Sequence, residues 1–297
     1  MLSARRIRLF FLALAVFMAG TNGSWARDLF VDNVLGDDRN NGGTPITAGA
    51  GNGPFRSITR ALVAAKKHDR LILAPGEPYY ECITLQGGEH SGLEGYPFEI
   101  IGNGAVLNGT RPVPERDWEH VSGSLFRVRP ERMSYQTLFL DDKPAARAAT
   151  GTQPEQLATL QWVLNDGFIY FRVEDSHLPY EYAPRFGARH VGLTLYDVSH
   201  VRINGLKIRG YHLDGLNAHD NARQVVLEEV TAEHNGRSGF SIGGSSRVQM
   251  FGCRGSHNGR VQVRMEQFCH VDIFDGDFDS VSAPQLDREG GKLTVSP

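Results

Sequence analysis

Residues 201–208 read VRINGLKI, 225–232 VVLEEVTA, 248–255 VQMFGCRG and 271–278 VDIFDGDF. The segments begin 23 or 24 residues apart, with valine first and Ile203, Leu227, Met250 and Ile273 third. Leu206, Val230, Cys253 and Gly276 take the sixth place. Self-similarity at such a period marks a solenoid, in which each repeat buries its apolar face only against its neighbours.

Each repeat holds a second anchor. Gly192-Leu193, Gly215-Leu216, Gly239-Phe240 and Gln262-Val263 recur at the same interval, with Leu286-Asp287 continuing the series. Each opens a polar-apolar alternation, the mark of a half-buried strand. Short strands joined by polar turns, without helical periodicity, describe one rung of a parallel β-helix. Leucine-rich repeats share the period but need an LxxLxLxxN pattern, which is absent.

The turns agree with this. Glu233-His234-Asn235-Gly236-Arg237 and Ser256-His257-Asn258-Gly259-Arg260 lie 23 residues apart. Stacked turns set Asn235 over Asn258, where side-chain amides bond along the stack, and Gly236 and Gly259 are expected to supply the positive φ of the corner. His234 and His257 read as part of this ladder. No metal site is expected, because zinc needs three or four converging ligands.

The first 26 residues have the form of a signal peptide: Arg5, Arg6 and Arg8, an apolar run from Leu9 to Ala19, then Ser24-Trp25-Ala26. The run is short for a membrane span. Its removal takes away three arginines and no acids, moving the formal charge from −3 to −6. The expected product is secreted or periplasmic and monomeric. A mildly acidic chain without basic clusters speaks against nucleic acid or an anionic membrane as partner. The three cysteines, Cys82, Cys253 and Cys269, are an odd number, so at least one thiol stays unpaired. Cys253, at an inward position, is expected to pack as a small hydrophobe.

Residues 27–110 precede the clear repeats. They hold a strand (Leu29-Phe30-Val31), a polar loop (36–45), a helical segment with Ile58, Leu62 and Ala65 on one face, and the strand Leu71-Ile72-Leu73. The loop lacks the alternating ligands and distal glutamate of an EF-hand. The string FVDNVLGDD…NNGGTP…GPFRSITRALVAAKKHDRLILAPGEPYYECITL resembles the opening of exported proteins of the pectin-lyase-like right-handed parallel β-helix family. The resemblance implies an N-terminal cap whose helix plugs the coil, protecting apolar core and strand edges.

Residues 111–190 break the period. Segments 124–129, 137–143 and 161–173 alternate as strands, the last folding at Asn165-Asp166-Gly167, a hairpin signal. Phe139-Leu140-Asp141-Asp142-Lys143 and Ala145-Ala146-Arg147 resemble the "LFVDGK…AR" segment of the small β-domain inserted into several β-helix glycoside hydrolases. The expected protein is all-β. A right-handed parallel β-helix with an N-terminal helical cap and an inserted antiparallel β domain resumes over residues 191–297.

If residues 193, 216, 240, 263 and 286 point inward, Thr194, Asn217, Ser241, Arg264 and Asp287 form an outward column. Tyr196, His219, Gly243 and Glu266 form a second, with Tyr211, His212, Asp214 and Asp220 close by. Rings that stack on sugars beside carboxylates that bond hydroxyls suit a saccharide-binding face. A solvated outer surface also accounts for Thr194, Asn217 and Ser241. Asp214-Gly215-Leu216 resembles the Asp-Gly-apolar string bearing a catalytic aspartate in β-helix polygalacturonases, although that family's Asp-Asp pair and Gly-His-Gly are missing here.

The expected catalytic set is Glu266, Asp287, Asp214 and Arg264. His212, Asn217, His219 and Tyr196 are the expected substrate-binding set. Asp214 and Asp287 are about 14 Å apart by rung spacing, too far to flank one bond. Glu266 and Asp287, about 8 Å apart on the diagonal, fall in the window of an inverting acid–base pair. No cofactor is expected for a hydrolase. The resemblance to β-helix lyases implies calcium and a basic residue such as Arg264 for elimination, although arginine makes a poor base. The chain is thus expected to be an exported carbohydrate-active protein acting on a polysaccharide, as a glycoside hydrolase or polysaccharide lyase. A non-catalytic glycan-binding or cell-surface module, possible for a shortened family member of some five rungs, is the alternative.

Overall fold

The computed structural model describes residues 26–149 and 151–297. The signal-peptide reading falls, Ala26 apart, outside the described residues. Three parallel sheets wrap one core as a right-handed β-helix. Sheet 1 has eight strands: Asp28–Val31, Arg70–Leu73, Phe98–Ile101, Ser199–Asn204, Arg223–Glu228, Arg247–Phe251, His270–Phe274 and Lys292–Ser296. Sheet 2 has six: Ile83–Gln86, Leu193–Tyr196, Asp214–His219, Ser238–Ile242, Val261–Met265 and Leu286–Arg288. Sheet 3 has five: Val106–Asn108, Lys207–Arg209, Thr231–Glu233, Arg254–Ser256 and Asp277–Phe278.

The expected core columns are present. Val201, Val225, Val248 and Val271 pair in register along sheet 1 and are buried. Leu193, Leu216, Phe240 and Val263 do the same along sheet 2; Leu286 pairs in register with Val263 but is exposed, because no further rung of sheet 2 covers it among the described residues. Cys253 packs in the core, and burial pushes its thiol up to about 12. All three cysteines are free, Cys82 being exposed.

The cap helix spans Ile58–Ala64 and buries Ile58, Ala61 and Leu62 against the first rungs. Its start is held twice. The Ser57 side chain accepts from the Arg60 N–H at 3.1 Å, and the Glu81 carboxylate accepts from the Ile58 and Thr59 N–H groups at 2.9 and 2.8 Å.

Left-handed residues mark all three corners at the repeat interval. They are Asp197, Asp220, Gly244 and Gln267 between sheets 2 and 1, and Gly205, Glu229, Gly252 and Asp275 between sheets 1 and 3. Between sheets 3 and 2 they are Gly210, His234 and His257. This corrects the expectation for Gly236 and Gly259: the histidines take the positive φ, and the glycines serve close approach. A Cβ on Gly236 would stand 1.3 Å from the Tyr135 carbonyl oxygen, and one on Gly259 2.1 Å from the Gly236 oxygen.

The asparagine ladder is internal. Asn235 Nδ2 donates to Asn258 Oδ1 at 3.1 Å, and Asn258 Nδ2 donates to Gln262 Oε1 at 2.6 Å. Tyr211 N–H caps the column by donating to Asn235 Oδ1.

The inserted strands run from Thr110 to Gly187 in two further sheets around Phe126, Leu138, Trp162, Ile169 and Phe171. The hairpin forms at Asp166-Gly167, both left-handed, closing Asn165 on Phe168. A second hairpin divides the stretch read as one strand over 137–143. Asp141 and Asp142 are both left-handed, so Lys143 and Pro144 fold back on Leu140 and Phe139.

Candidate functional site on the outer face of sheet 2

Parallel pairing stacks Thr194, Asn217, Ser241, Arg264 and Asp287 in one column, and Tyr196 next to His219 in the second. The second column continues through Gly243, Glu266 and Glu289, which follow the paired residues Ile242, Met265 and Arg288. Strand alternation alone turns these side chains away from the core.

At one end the face is aromatic. The Tyr196 and His219 rings meet edge-to-face at 5.3 Å, and His219 Nδ1 lies 3.3 Å from Asp220 Oδ1. The nearby Asp220 carboxylate pushes the Tyr196 phenol up. In the middle the face dips. Gly243 has no Cβ, and nothing comes nearer than Glu266 Cβ at 3.8 Å to where one would be.

At the other end the face is ionic. Arg264 Nη2 forms ion pairs with Glu266 Oε1 at 2.7 Å and with Glu289 Oε1 at 3.5 Å. Asp287 stands beside Arg264 on the next rung, with Arg260 Nη2 at 3.9 Å. Arg264 Nε is buried without a partner. Two carboxylates therefore aim one guanidinium, whose remaining donors suit sugar hydroxyls.

Two expected members lie elsewhere. Asp214 shares the inward parity of Leu216 and is fully buried, paired with Arg237 at 2.9 and 2.6 Å and accepting from Ser238 Oγ. His212 is buried where the insert meets the coil, sharing a hydrogen bond of 2.7 Å with His190 and facing the Ser134 carbonyl at 3.4 Å. The outward face thus joins Tyr196, Asn217, His219, Arg264, Glu266 and Asp287 and excludes Asp214 and His212. Glu289, missed in the sequence reading, was legible as the position following the last short strand.

Among the described residues no group of three or more His, Cys, Asp or Glu is placed to hold a metal ion.

No family model matches the chain, and no curated protein matches it in sequence. Solved structures do match in shape. A structure named "Glycoside hydrolase" is similar at a TM-score of 0.63 and 12% identity, over 86% of this chain and 74% of its own. The GH136 lacto-N-biosidase from Eubacterium ramulus is similar at 0.51 and 11% identity, over 88% of this chain and 43% of its own. At such identities the likeness shows a shared fold: the chain is a right-handed parallel β-helix with an inserted β domain.

Proposed function

We propose that this protein is exported and hydrolyses a polysaccharide lying along the outer face of sheet 2. One of Glu266 and Asp287 protonates the departing glycosidic oxygen. The other removes a proton from the water that attacks the anomeric carbon from the opposite side. Arg264, Asn217, His219 and Tyr196 hold the sugars, the rings by stacking and the polar groups through hydroxyls.

The observation that supports this reading is the register. It sets Arg264 against Asp287 on the next rung while Glu266 is ion-paired with the same guanidinium. That arrangement keeps two carboxylates about 8 Å apart by strand geometry, within the spacing of an inverting pair. The names of the two similar structures, both glycosidases, fit hydrolysis better than elimination. Export rests on the N-terminal segment; among the described residues no helix is long and apolar enough to cross a membrane.

A glycan-binding module without turnover is the second reading. It is favoured by the engagement of both carboxylates, Glu266 with Arg264 at 2.7 Å and Asp287 with Arg260 at 3.9 Å. Incubation with a panel of neutral and acidic polysaccharides separates these readings. New reducing ends without ultraviolet absorbance mean hydrolysis, absorbing unsaturated ends mean elimination, and retention without products means binding alone.

A further inference from the structure

A cleft of about 690 Å³ separates the insert from the corner between sheets 3 and 2, one corner away from the proposed catalytic face. That volume is typical of small-ligand sites. Arg147 and Trp162 line it from the insert, and His234 and His257 from the coil.

Arg147 has neither an ion pair nor a side-chain hydrogen bond among the described residues. Among the described residues, the insert arginines Arg111, Arg127 and Arg185 each lie against a carboxylate, while Arg147 has none. Its guanidinium is nonetheless fixed in place. It lies 5.0 Å from the Trp162 ring centroid, and its Nη1 would be 2.7 Å from a Cβ on Gly259. The absent side chain of Gly259 is what lets a cation press against the coil.

The opposite wall is also rich in donors. The His234 and His257 rings stack at 4.8 Å, and Asp279, which does not line the cleft, is 3.4 Å from His257. Buried Gln136 uses Nε2 to donate to the Arg132 and Gly187 carbonyls at 2.6 and 3.0 Å, which fixes its amide orientation. Its Oε1 is buried beneath the cleft floor and left without a hydrogen-bond partner. An aromatic-backed guanidinium with free donors, facing imidazoles, is matched to a planar or tetrahedral anion.

We propose that the cleft is a second saccharide site, taking a sugar that bears a carboxylate or a sulfate ester, with Arg147 as its anchor. The site does not depend on Glu266 or Asp287.

Titration calorimetry of the purified protein with digalacturonate, galactose 6-sulfate and neutral galactobiose tests this. At least one charged sugar binds, roughly tenfold or more tighter than galactobiose, and the better of the two identifies the anion. R147Q weakens the charged sugar roughly tenfold or more, and R147K, which keeps the charge but loses the fork, falls between. Arg147 is exposed, so both variants are expected to fold. E266Q, titrated in parallel, keeps the wild-type affinity for the charged sugar. The proposal is overturned if neither charged sugar binds, if galactobiose binds as well, or if R147Q and R147K bind like the wild type. It is equally overturned if E266Q, and not R147Q, removes binding, since the anion is then read by sheet 2.

Discussion

Asp214 and Arg237 form a bidentate pair sealed at the junction of coil and insert, with the carboxylate fully buried and the guanidinium 5.9 Å from the centroid of the Tyr135 ring. The pair ties one rung to the next and presents nothing to a ligand. Breaking one partner leaves the other charge buried and uncompensated, so D214A should lose about 3 to 5 kcal/mol in urea denaturation. If Asp214 were instead catalytic, D214N would unfold like the wild type and lose turnover completely.

Gly236 should not accept a side chain. The carbonyl of Tyr135 occupies the space a Cβ needs, so G236A must push the insert off the coil. Lower thermal stability together with faster proteolysis within residues 130–149 is the expected result. An alanine variant with wild-type stability and proteolytic pattern contradicts the close approach.

The asparagine ladder makes a third prediction. Asn258 donates to the Ala232 carbonyl at 2.9 Å and accepts from both the N–H and the side-chain amide of Asn235. N258A orphans these buried groups at about 1 to 3 kcal/mol each in the worst case, so a clear drop in denaturation midpoint is expected. N258D removes the donor half alone and should be destabilised as well. Unchanged midpoints for both would mean the amides are not coupled.

Acid should weaken the seam between insert and coil. Burial first, and then the neighbouring imidazole, pushes both His212 and His234 down to about 4 from 6.5. His212 faces His190, Arg132 and Asp214, and His234 faces His257, Arg209, Asp279 and the Phe139 ring. Between those pH values the unfolded chain binds protons that the folded one refuses, so stability is full above about pH 6.5 and falls toward pH 4. The melting temperature should drop over that window, and by less in H234Q. A flat profile in the wild type contradicts the assignment.

The coil was readable because inward residues recur at the repeat interval, so Val201 predicts Val225 and Leu216 predicts Phe240. The Asn-Asp-Gly hairpin was readable because its turn needs two left-handed residues that those types tolerate. Asp214 was misplaced although its parity with Leu216 was available, since a resemblance around Gly215 drew it outward. The corner φ values were misassigned because glycine answers two demands, a left-handed backbone and a missing Cβ. Here His234 meets the first and Gly236 the second. The cleft was not predicted in detail, because its walls come from residues 136–149 and 234–282, joined only by folding.

Glu266 and Asp287, the proposed acid–base pair, stand on an outward face. The direct measurement is the rate of reducing-end release by the wild type, E266Q and D287N, on whichever polysaccharide of the panel the wild type cleaves, with melting temperatures recorded alongside. Each amide should lower turnover by roughly a hundredfold or more, in keeping with general acid–base catalysis. Melting temperatures should stay near the wild type, because both carboxylates are partly exposed and the Arg264 guanidinium keeps Glu289 at 3.5 Å when Glu266 is neutralised. Variants that turn over at the wild-type rate while remaining folded, or a wild type that binds and releases every polysaccharide uncut, would contradict the acid–base assignment.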